Sequence, residues 1–219
     1  MALKGEHVLI TSGPTRADID AVRYISNRSS GRLGCAMAKE ALSRGARVTM
    51  VAGPESATPE PDRGKLRVVP VVTVDDVMRA MERELTAEDS PRAVVHAMAV
   101  LDYVPAERQD GKTPSGRPKW SLPLVRTPKV IRHIREWSPQ VLLVQFKLEV
   151  DVTDEQLHEI AMASLARNGS DLVVANDLAR IGEGRHPALL LDADGRILAR
   201  PQTKIEIARD LCDVLAERL

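Results

Sequence analysis

The sequence predicts a doubly wound α/β fold, with a mainly parallel sheet held between helices. Two observations support this prediction: apolar runs of strand length alternate with helical patterns along the chain, and several runs are apolar at nearly every position. Strands covered on both faces have this composition, and parallel sheets are covered in this way. A chain of 219 residues fits one domain, 1–219, with a single large core.

Six short segments rich in Val, Ile and Leu are predicted to form the strands. The first unit is the clearest, because a strand-like run, a helical pattern and a second run follow one another as in a βαβ unit. The predicted strands are HVLIT (7–11), RVTMVAG (47–53), KLRVVPV (65–71), RAVVHAMAV (92–100), QVLLVQF (140–146) and DLVVAN (171–176).

Capping signals place the ends of five predicted helices. The helices cover 31–46, 74–89, 128–137, 153–168 and 204–218. Gly45 is expected at the C-terminal end of the first helical pattern, Thr73 at the start of the second, Thr127 with Pro128 at the start of the third, and Thr203 with Glu206 as a capping box for the last.

Three connections interrupt the alternation. Residues 102–125, here called the flap, are rich in Pro, Gly, Lys and Ser, and so long a loop is usually a functional lid or partly disordered. Residues 187–201 have Asp-Gly between apolar runs and are predicted to form a β-hairpin extension. Residues 53–65 are predicted to be a surface connection without a chemical role.

Composition excludes several kinds of partner. The 31 basic and 31 acidic side chains cancel, so no overall field attracts nucleic acid or anionic membrane. No apolar run approaches the roughly 18 residues of a membrane span, and no signal-peptide pattern opens the chain. Cys35 and Cys212 lie far apart without metal-ligand spacing, which indicates thiols in a reducing compartment. We therefore expect a cytoplasmic protein.

A ligand site is expected where the strands end, since doubly wound sheets bind ligands outside the carboxyl ends of their strands. Polar clusters follow several predicted strands and are expected to share one site. These clusters are Ser12-Gly13-Pro14-Thr15, residues 23–34, Asp102-Tyr103, residues 146–149 and Asn176-Asp177.

The segment RYISNRSSGRLG (23–34) holds the strongest candidates. Ser29, Ser30 and Gly31 lie at a predicted helix N-terminus, which favours a phosphate or a carboxylate. An equally supported alternative is that Ser29 or Ser30 only caps the helix. Arg23 and Asn27 suit anionic oxygens and a polarised carbonyl, and their alternative is an ordinary solvated loop.

Two common nucleotide motifs are absent from the sequence. The pattern G-x-G-x-x-G does not follow the first strand, which disfavours a standard nicotinamide or flavin site. Gly111-Lys112-Thr113 resembles the end of a P-loop, but no helix follows it. Lys112 could still close over phosphates from the flap. The alternative is a solvated lysine, with Lys119, Arg108 and Arg117 equally available.

Asp102 and the histidines are the remaining candidate site residues. Asp102 ends a predicted buried strand, and it either serves the site or caps the following turn. The five histidines show no spacing typical of metal ligands or of a Ser/His/Asp triad. No metal-ligating residues are predicted.

Taken together, these residues resemble the phosphopantothenoylcysteine synthetases, also called phosphopantothenate–cysteine ligases, of coenzyme A biosynthesis. The likeness covers nearly the whole chain and is strongest over residues 9–54. The matching segments are LITSGPTRADIDAVRYISNRSSGRLGCAMAKEALSRGARVTMVAGP, Asp102-Tyr103, Lys112, TPKVI (127–131), FKLE (146–149), DLVVANDL (171–178) and TKIEIA (203–208).

The resemblance implies a Rossmann-like homodimeric ligase that uses CTP or ATP with Mg²⁺. It would activate 4′-phosphopantothenate as an acyl-nucleotidyl anhydride and transfer the acyl group to L-cysteine, beside a separate decarboxylase. It implies that Asn27 holds the activated acyl group and that Lys112 covers the triphosphate. The remaining implied contacts are Asp102 and Phe146 at the base and ribose, Arg23, Ser29 and Ser30 at the phosphates, and Ser12, Gly13, Thr15 and Gly31 elsewhere in the nucleotide site.

Three residues depart from the family pattern. Met98 and Leu101 stand where the family has small residues, which adds bulk next to the presumed base site, and Gln145 stands where the family has glycine. These departures support a second hypothesis, a nucleotide-binding homologue with lost or altered catalysis. A nicotinamide-dependent reductase is a distant third, because the chain lacks its motifs.

Overall fold

The computed structural model describes residues 2–61, 64–116 and 118–219. Its strands are β1 (His7–Ser12), β2 (Arg16–Asp18), β3 (Tyr24–Ser26), β4 (Arg47–Ala52), β5 (Leu66–Pro70), β6 (Ala93–His96), β7 (Tyr103–Pro105), β8 (Leu124–Arg126), β9 (Leu142–Glu149), β10 (Leu172–Asp177), β11 (Leu189–Asp192) and β12 (Ile197–Ala199). Its α-helices are α1 (Arg32–Ser43), α2 (Val74–Leu85), α3 (Val130–Trp137), α4 (Asp154–Asn168) and α5 (Lys204–Arg218).

Eight of the strands form one twisted sheet in the order β12-β11-β10-β9-β6-β1-β4-β5. The six strands from β10 to β5 are parallel, and the β11–β12 hairpin continues the sheet in antiparallel fashion. The chain builds outward from β1 in one direction through β4 and β5, and then in the other from β6 through β10. The boundary between β1 and β6 is therefore the topological switch point.

The core lies on both faces of this sheet. Val8 and Ile10 of β1 pack with Met37 of α1 and Leu211 of α5 on one face. Leu9 of the same strand faces the other way, toward the α2 and α3 side. All six residues of β1 are buried, as the continuous apolar pattern predicts. The predicted α/β fold with a mainly parallel sheet is confirmed.

Helix ends follow the capping signals in most places. Gly45, with φ of 92°, ends α1 in a Schellman motif, since its N–H donates to the Leu42 carbonyl and that of Ala46 to the Ala41 carbonyl. Thr73 and Asp76 form a complete capping box on α2.

Two predicted helix starts differ from the structure. Thr127 does not cap α3: its hydroxyl donates to the Leu101 carbonyl at 2.6 Å, and the helix begins only at Val130. On α5, Thr203 is the N-cap, but the Glu206 carboxylate accepts from the Gln202 N–H instead of closing the box.

The largest differences lie in the connections. The predicted strand 92–100 ends at His96, because the chain then turns to hydrogen-bond with the loop after β1. The flap contains β7 and ends in β8, which pair with each other, and β2 pairs with β3 after the first strand. The hairpin at 187–201 is confirmed. No helix in the described part of the chain is long and apolar enough to cross a membrane.

Candidate functional site

The loops that follow β1 and β6 are joined at the switch point. The Ala99 N–H donates to the Gly13 carbonyl at 2.8 Å, and the Thr15 N–H donates to the Ala99 carbonyl at 3.2 Å. The hydroxyl of Thr15 accepts from the Leu101 N–H at 2.9 Å and is fully buried. Thr15 thus holds the two loops together, and its predicted contact with a nucleotide stays a prediction.

Asn27 is fastened to the same loop. Its Nδ2 donates to the carbonyl oxygens of Ala99 and Val100, at 3.3 and 3.1 Å. Both amide hydrogens are therefore engaged, and the group left for a ligand is the acceptor Oδ1. To hold an acyl carbonyl through Nδ2, this exposed side chain must turn away from the two backbone oxygens.

Beside Asn27 a cleft of about 640 Å³ opens between α3 and α4, over β6 and β9. Asp102 and Phe146 also line it, so three of the predicted site residues converge there, two from connections and Phe146 from β9. Met98 and Gln145 line the cleft as well. Leu101 does not, because it is buried in the core beneath α2 and α3; the expectation that it adds bulk to the site is wrong.

The carboxylate of Asp102 pairs with the amine of Lys129 at 2.5 Å, at the start of α3. Both side chains are about half exposed, so this pair contributes little to stability and is available to a ligand. The Asp102 carbonyl accepts from the Thr127 N–H at 3.0 Å, and this bond joins the two ends of the flap beside the β7–β8 pair.

The predicted phosphate region lies at the start of α1. Gly31 is the N-cap, with φ of 68°, and no side chain caps the helix. The alternative in which Ser29 or Ser30 caps it is therefore wrong. Ser29 is half-buried and Ser30 exposed, beside first-turn N–H groups that lack intrahelical acceptors. This arrangement suits an anion, and the phosphate contact itself stays a prediction.

Close packing shapes this region. Ser12 Oγ donates to the Gly31 carbonyl at 3.1 Å. A Cβ added to Gly34 would lie 2.3 Å from Ser12 Oγ, so only glycine lets the helix approach β1 here. The 53–65 connection also reaches the region: a Cβ on Gly13 would lie 1.6 Å from Ser56 Oγ, and the Ala57 N–H donates to the Ser30 carbonyl at 3.0 Å. No sequence signal indicated this contact.

Arg23 lies away from the cleft. It pairs with Asp20 at 3.1 Å, donates to the Thr113 carbonyl at 3.3 Å, and lies 5.0 Å from the ring centre of Trp120. Arg23 thus joins the β2–β3 connection to the flap. The structure does not bring it together with Asn27 in the cleft, and its substrate contact stays a prediction.

Asp20 is the residue that organises this junction, and sequence analysis missed it. Its buried carboxylate accepts from the N–H groups of Val22, Arg23 and Thr113, at 2.8, 2.8 and 3.1 Å. Burial alone would raise the pKa of Asp20, but these backbone donors and the Arg23 charge outweigh it and lower the pKa to about 2. The anchor is therefore ionised at neutral pH.

Lys112 lies between two residues of the flap that are held by this junction. The Ala21 N–H donates to the Gly111 carbonyl at 2.9 Å, and Thr113 binds Asp20. The Lys112 side chain is exposed and lines a separate pocket of about 480 Å³ with Lys119 and Trp120. Lys112 and Asn27 thus lie in different pockets.

Two further candidate cations of the flap are Arg108 and Arg117. Arg108 pairs with Asp18 at 3.5 Å, and Arg117 lies outside the described residues. Within residues 2–61, 64–116 and 118–219, no group of three or more His, Cys, Asp or Glu side chains could hold a metal ion.

Comparison with known proteins gives consistent matches. A CoaBC bifunctional protein of coenzyme A biosynthesis from Thermococcus kodakarensis is 38% identical over 218 residues, which cover 100% of this chain and 53% of that protein. The crystal structure of a DNA/pantothenate metabolism flavoprotein from Streptococcus pneumoniae has a TM-score of 0.90 and 31% identity, and the match covers 98% of this chain and 100% of that one.

A more distant match is a mutant of Cab2 in complex with phosphopantothenate-cysteine. Its TM-score is 0.72 at 22% identity, and the match covers 98% of this chain and 89% of that one, which shows a shared fold. The chain spans about half the length of the curated relatives it matches.

The family model described as the DNA/pantothenate metabolism flavoprotein C-terminal domain matches residues 3–219. The family resemblance predicted from the sequence is thereby confirmed. Because the family model matches nearly every residue and the sheet has the fold of the Streptococcus pneumoniae protein, this chain belongs to the DNA/pantothenate metabolism flavoprotein C-terminal domain family.

Proposed function

We propose that this chain is a ligase that forms 4′-phosphopantothenoyl-L-cysteine from 4′-phosphopantothenate and L-cysteine. The observation that carries the proposal is the convergence of Asn27, Asp102 and Phe146 on one cleft at the switch point. The matched relatives are named for coenzyme A biosynthesis, and the Cab2 structure of the same fold holds phosphopantothenate-cysteine.

The proposed reaction has two steps. A carboxylate oxygen of phosphopantothenate attacks the α-phosphorus of CTP or ATP, and pyrophosphate leaves. The cysteine amine then attacks the acyl carbon of the anhydride, the nucleoside monophosphate leaves, and the nitrogen loses a proton. Asn27 lies beside the cleft in which the acyl carbon would react, and its fixed Oδ1 can accept from the incoming amine before the carboxamide turns.

Charge neutralisation is the main requirement of the first step, because two anions must meet. Lys129 lies inside the cleft, and Lys112 completes the site in this proposal when the flap closes. Mg²⁺ is the proposed counter-ion of the triphosphate; magnesium commonly keeps several waters and binds through substrate phosphates.

The proposal includes the organisation of the protein. Residues 1–219 form one synthetase domain, which acts as a homodimer. A separate decarboxylase would consume the product. The two buried free thiols, Cys35 and Cys212, suit a reducing compartment such as the cytoplasm.

A second candidate function is nucleotide binding with lost or altered catalysis. The observation that favours it is the bulk of Met98 and Gln145 inside the cleft, together with the position of Lys112 in another pocket. Both functions need a nucleotide, but only the ligase releases pyrophosphate when phosphopantothenate is added.

The deciding experiment is mass spectrometry of the products formed with phosphopantothenate, cysteine, Mg²⁺ and either CTP or ATP. Phosphopantothenoylcysteine together with CMP or AMP would support the ligase and identify the nucleotide. Nucleotide binding without product from either triphosphate would favour the second function.

A further inference from the structure

A row of polar side chains lies on the face of the sheet beneath the cleft, where an apolar row is expected. Thr11, His96 and Gln145 are register partners on β1, β6 and β9, so they lie side by side on one face of the sheet. Two residues earlier on the same strands, that face carries Leu9, Val94 and Leu143, all fully buried. The change from apolar to polar occurs where the cleft begins.

Gln145 has an unused donor in this row. Its side chain is only 1% exposed, and its Oε1 accepts from Asn168 Nδ2 at 2.8 Å and from Ser170 Oγ at 3.1 Å. Its Nε2 is buried without an acceptor among the described residues. A buried amide donor without a partner costs free energy, so a native protein that keeps one calls for an explanation.

Asn168 offers the complementary group. It lines the cleft, and its Nδ2 donates to Gln145 and approaches Ser164 Oγ at 3.4 Å. Its donors are thereby directed away from a ligand, and Oδ1 is the remaining hydrogen-bonding atom of the carboxamide. One donor and one acceptor on neighbouring side chains match the edge of a heterocyclic base.

The polar row is also electrically neutral. His96 contacts Thr11 Oγ1 through Nδ1 at 2.9 Å, and burial lowers the pKa of His96 to about 4, so the imidazole carries no charge at neutral pH. The cations of the cleft, such as Arg126, Lys129 and Arg167, belong to its partly or fully exposed residues. A neutral row suits a base better than a phosphate.

We propose that Gln145 and Asn168 select the nucleobase of the co-substrate. Gln145 Nε2 donates to an unprotonated ring nitrogen, and Asn168 Oδ1 accepts from the adjacent exocyclic amine. Cytosine and adenine both present this pair of groups, whereas uracil and hypoxanthine present a ring N–H and a carbonyl oxygen. The inference rests on the nucleotide requirement of the proposed function, and it assigns that requirement to two particular side chains.

The test is calorimetric binding of CTP against UTP and of ATP against ITP, without phosphopantothenate or cysteine. We expect at least a tenfold preference for CTP over UTP or for ATP over ITP, and the pair that shows it identifies the base. Gln145→Glu replaces the donor by an acceptor of the same shape and should remove that preference. Gln140→Glu, an exposed residue just before β9, is the matched control and should keep it.

Equal affinity for both members of both pairs in the unmodified protein would overturn the inference, and this result needs no variant to fold. An equal loss of affinity for all nucleotides in Gln145→Glu would also overturn it, because it would give Gln145 only the role of supporting Asn168 and Ser170. A protein that prefers CTP or ATP but forms no product would keep the inference and defeat the ligase. A protein that forms product equally from CTP and UTP, and from ATP and ITP, would support the ligase and overturn the inference about the base.

Discussion

The two connections that carry the predicted catalytic residues are held in different ways. In the β1–α1 connection, Asn27 hydrogen-bonds directly to the backbone of the loop after β6, next to the centre of the sheet. In the flap, the Lys112 side chain is exposed and only its neighbours are fixed, Gly111 by the Ala21 N–H and Thr113 by Asp20. The comparison teaches that a side chain is positioned by its own hydrogen bonds to backbone next to the sheet. When only the neighbouring residues are held, the backbone of the residue is positioned but its side chain is not.

Replacing Asn27 by Ala should give the largest effect. We expect amide formation to fall about a thousandfold, because the group beside the reacting acyl carbon is removed. The acyl-nucleotide should still form, since activation takes place at the phosphorus. Quenched-flow mass spectrometry would detect it. Amide formation at the normal rate would show that Asn27 does not act in this step.

Replacing Lys112 by Ala tests the exposed side chain of the flap. Turnover should fall about a hundredfold if the flap closes and brings the amine to the triphosphate. Lys119→Ala is the matched control, because Lys119 is exposed in the same pocket. Steady-state kinetics, with light scattering to confirm an unchanged oligomer, would check this. Equal losses in both variants would assign the effect to the general charge of the flap.

Asp20→Asn should weaken the attachment of the flap to the β2–β3 connection without changing either catalytic candidate. Each oxygen of Asp20 accepts from two donors, so the amide nitrogen of Asn would face N–H groups whichever way it turns. We expect about a tenfold loss of turnover from the displaced flap. Asp18→Asn, in a half-exposed ion pair, is the control. Greater protease cleavage within the flap of the Asp20 variant would confirm the cause, and an intact flap would contradict it.

The smallest expected effect is a spectroscopic one at acid pH. The pKa of Asp20 is lowered from 3.8 to about 2, so its contribution to the junction is complete above about pH 4 and is lost as the pH falls through about 2. In a Trp137→Phe variant, the emission of Trp120 beside Arg23 should change in that range, ahead of any change in far-ultraviolet circular dichroism. The contacts of Asn27 contain no titrating group and should not respond. A step that persists in Asp20→Asn would refute the assignment.

Local patterns predicted the regular part of the fold well. The strands β1, β4, β5 and β10 lie within about one residue of their predicted ranges. Their apolar composition follows directly from burial on both faces, and a local pattern is enough to detect it. The short pairs β2–β3 and β7–β8 were missed because three-residue strands carry no detectable period.

The site was only partly accessible from the sequence. Asn27 and Asp102 follow predicted strands and Phe146 ends one, so topology brings them to one edge of the sheet. Asp20 and Ser56 act through contacts with residues 113 and 13, far away in sequence, which no local signal encodes. The predicted cap at Thr127 is wrong because its competing partner, the Leu101 carbonyl, lies 26 residues earlier in the sequence, where no local pattern indicates it.

The contact between Gly34 and Ser12 also constrains how this sequence can evolve. Alanine at 34 places its Cβ 2.3 Å from Ser12 Oγ and 2.5 Å from Ser12 Cβ, whereas the Ser12 Cα lies at a tolerable 3.4 Å. The substitution is therefore costly in the present background and becomes accommodated once position 12 is glycine. The two sites are epistatic, and only the mutational path that changes position 12 first avoids a clash between strand and helix.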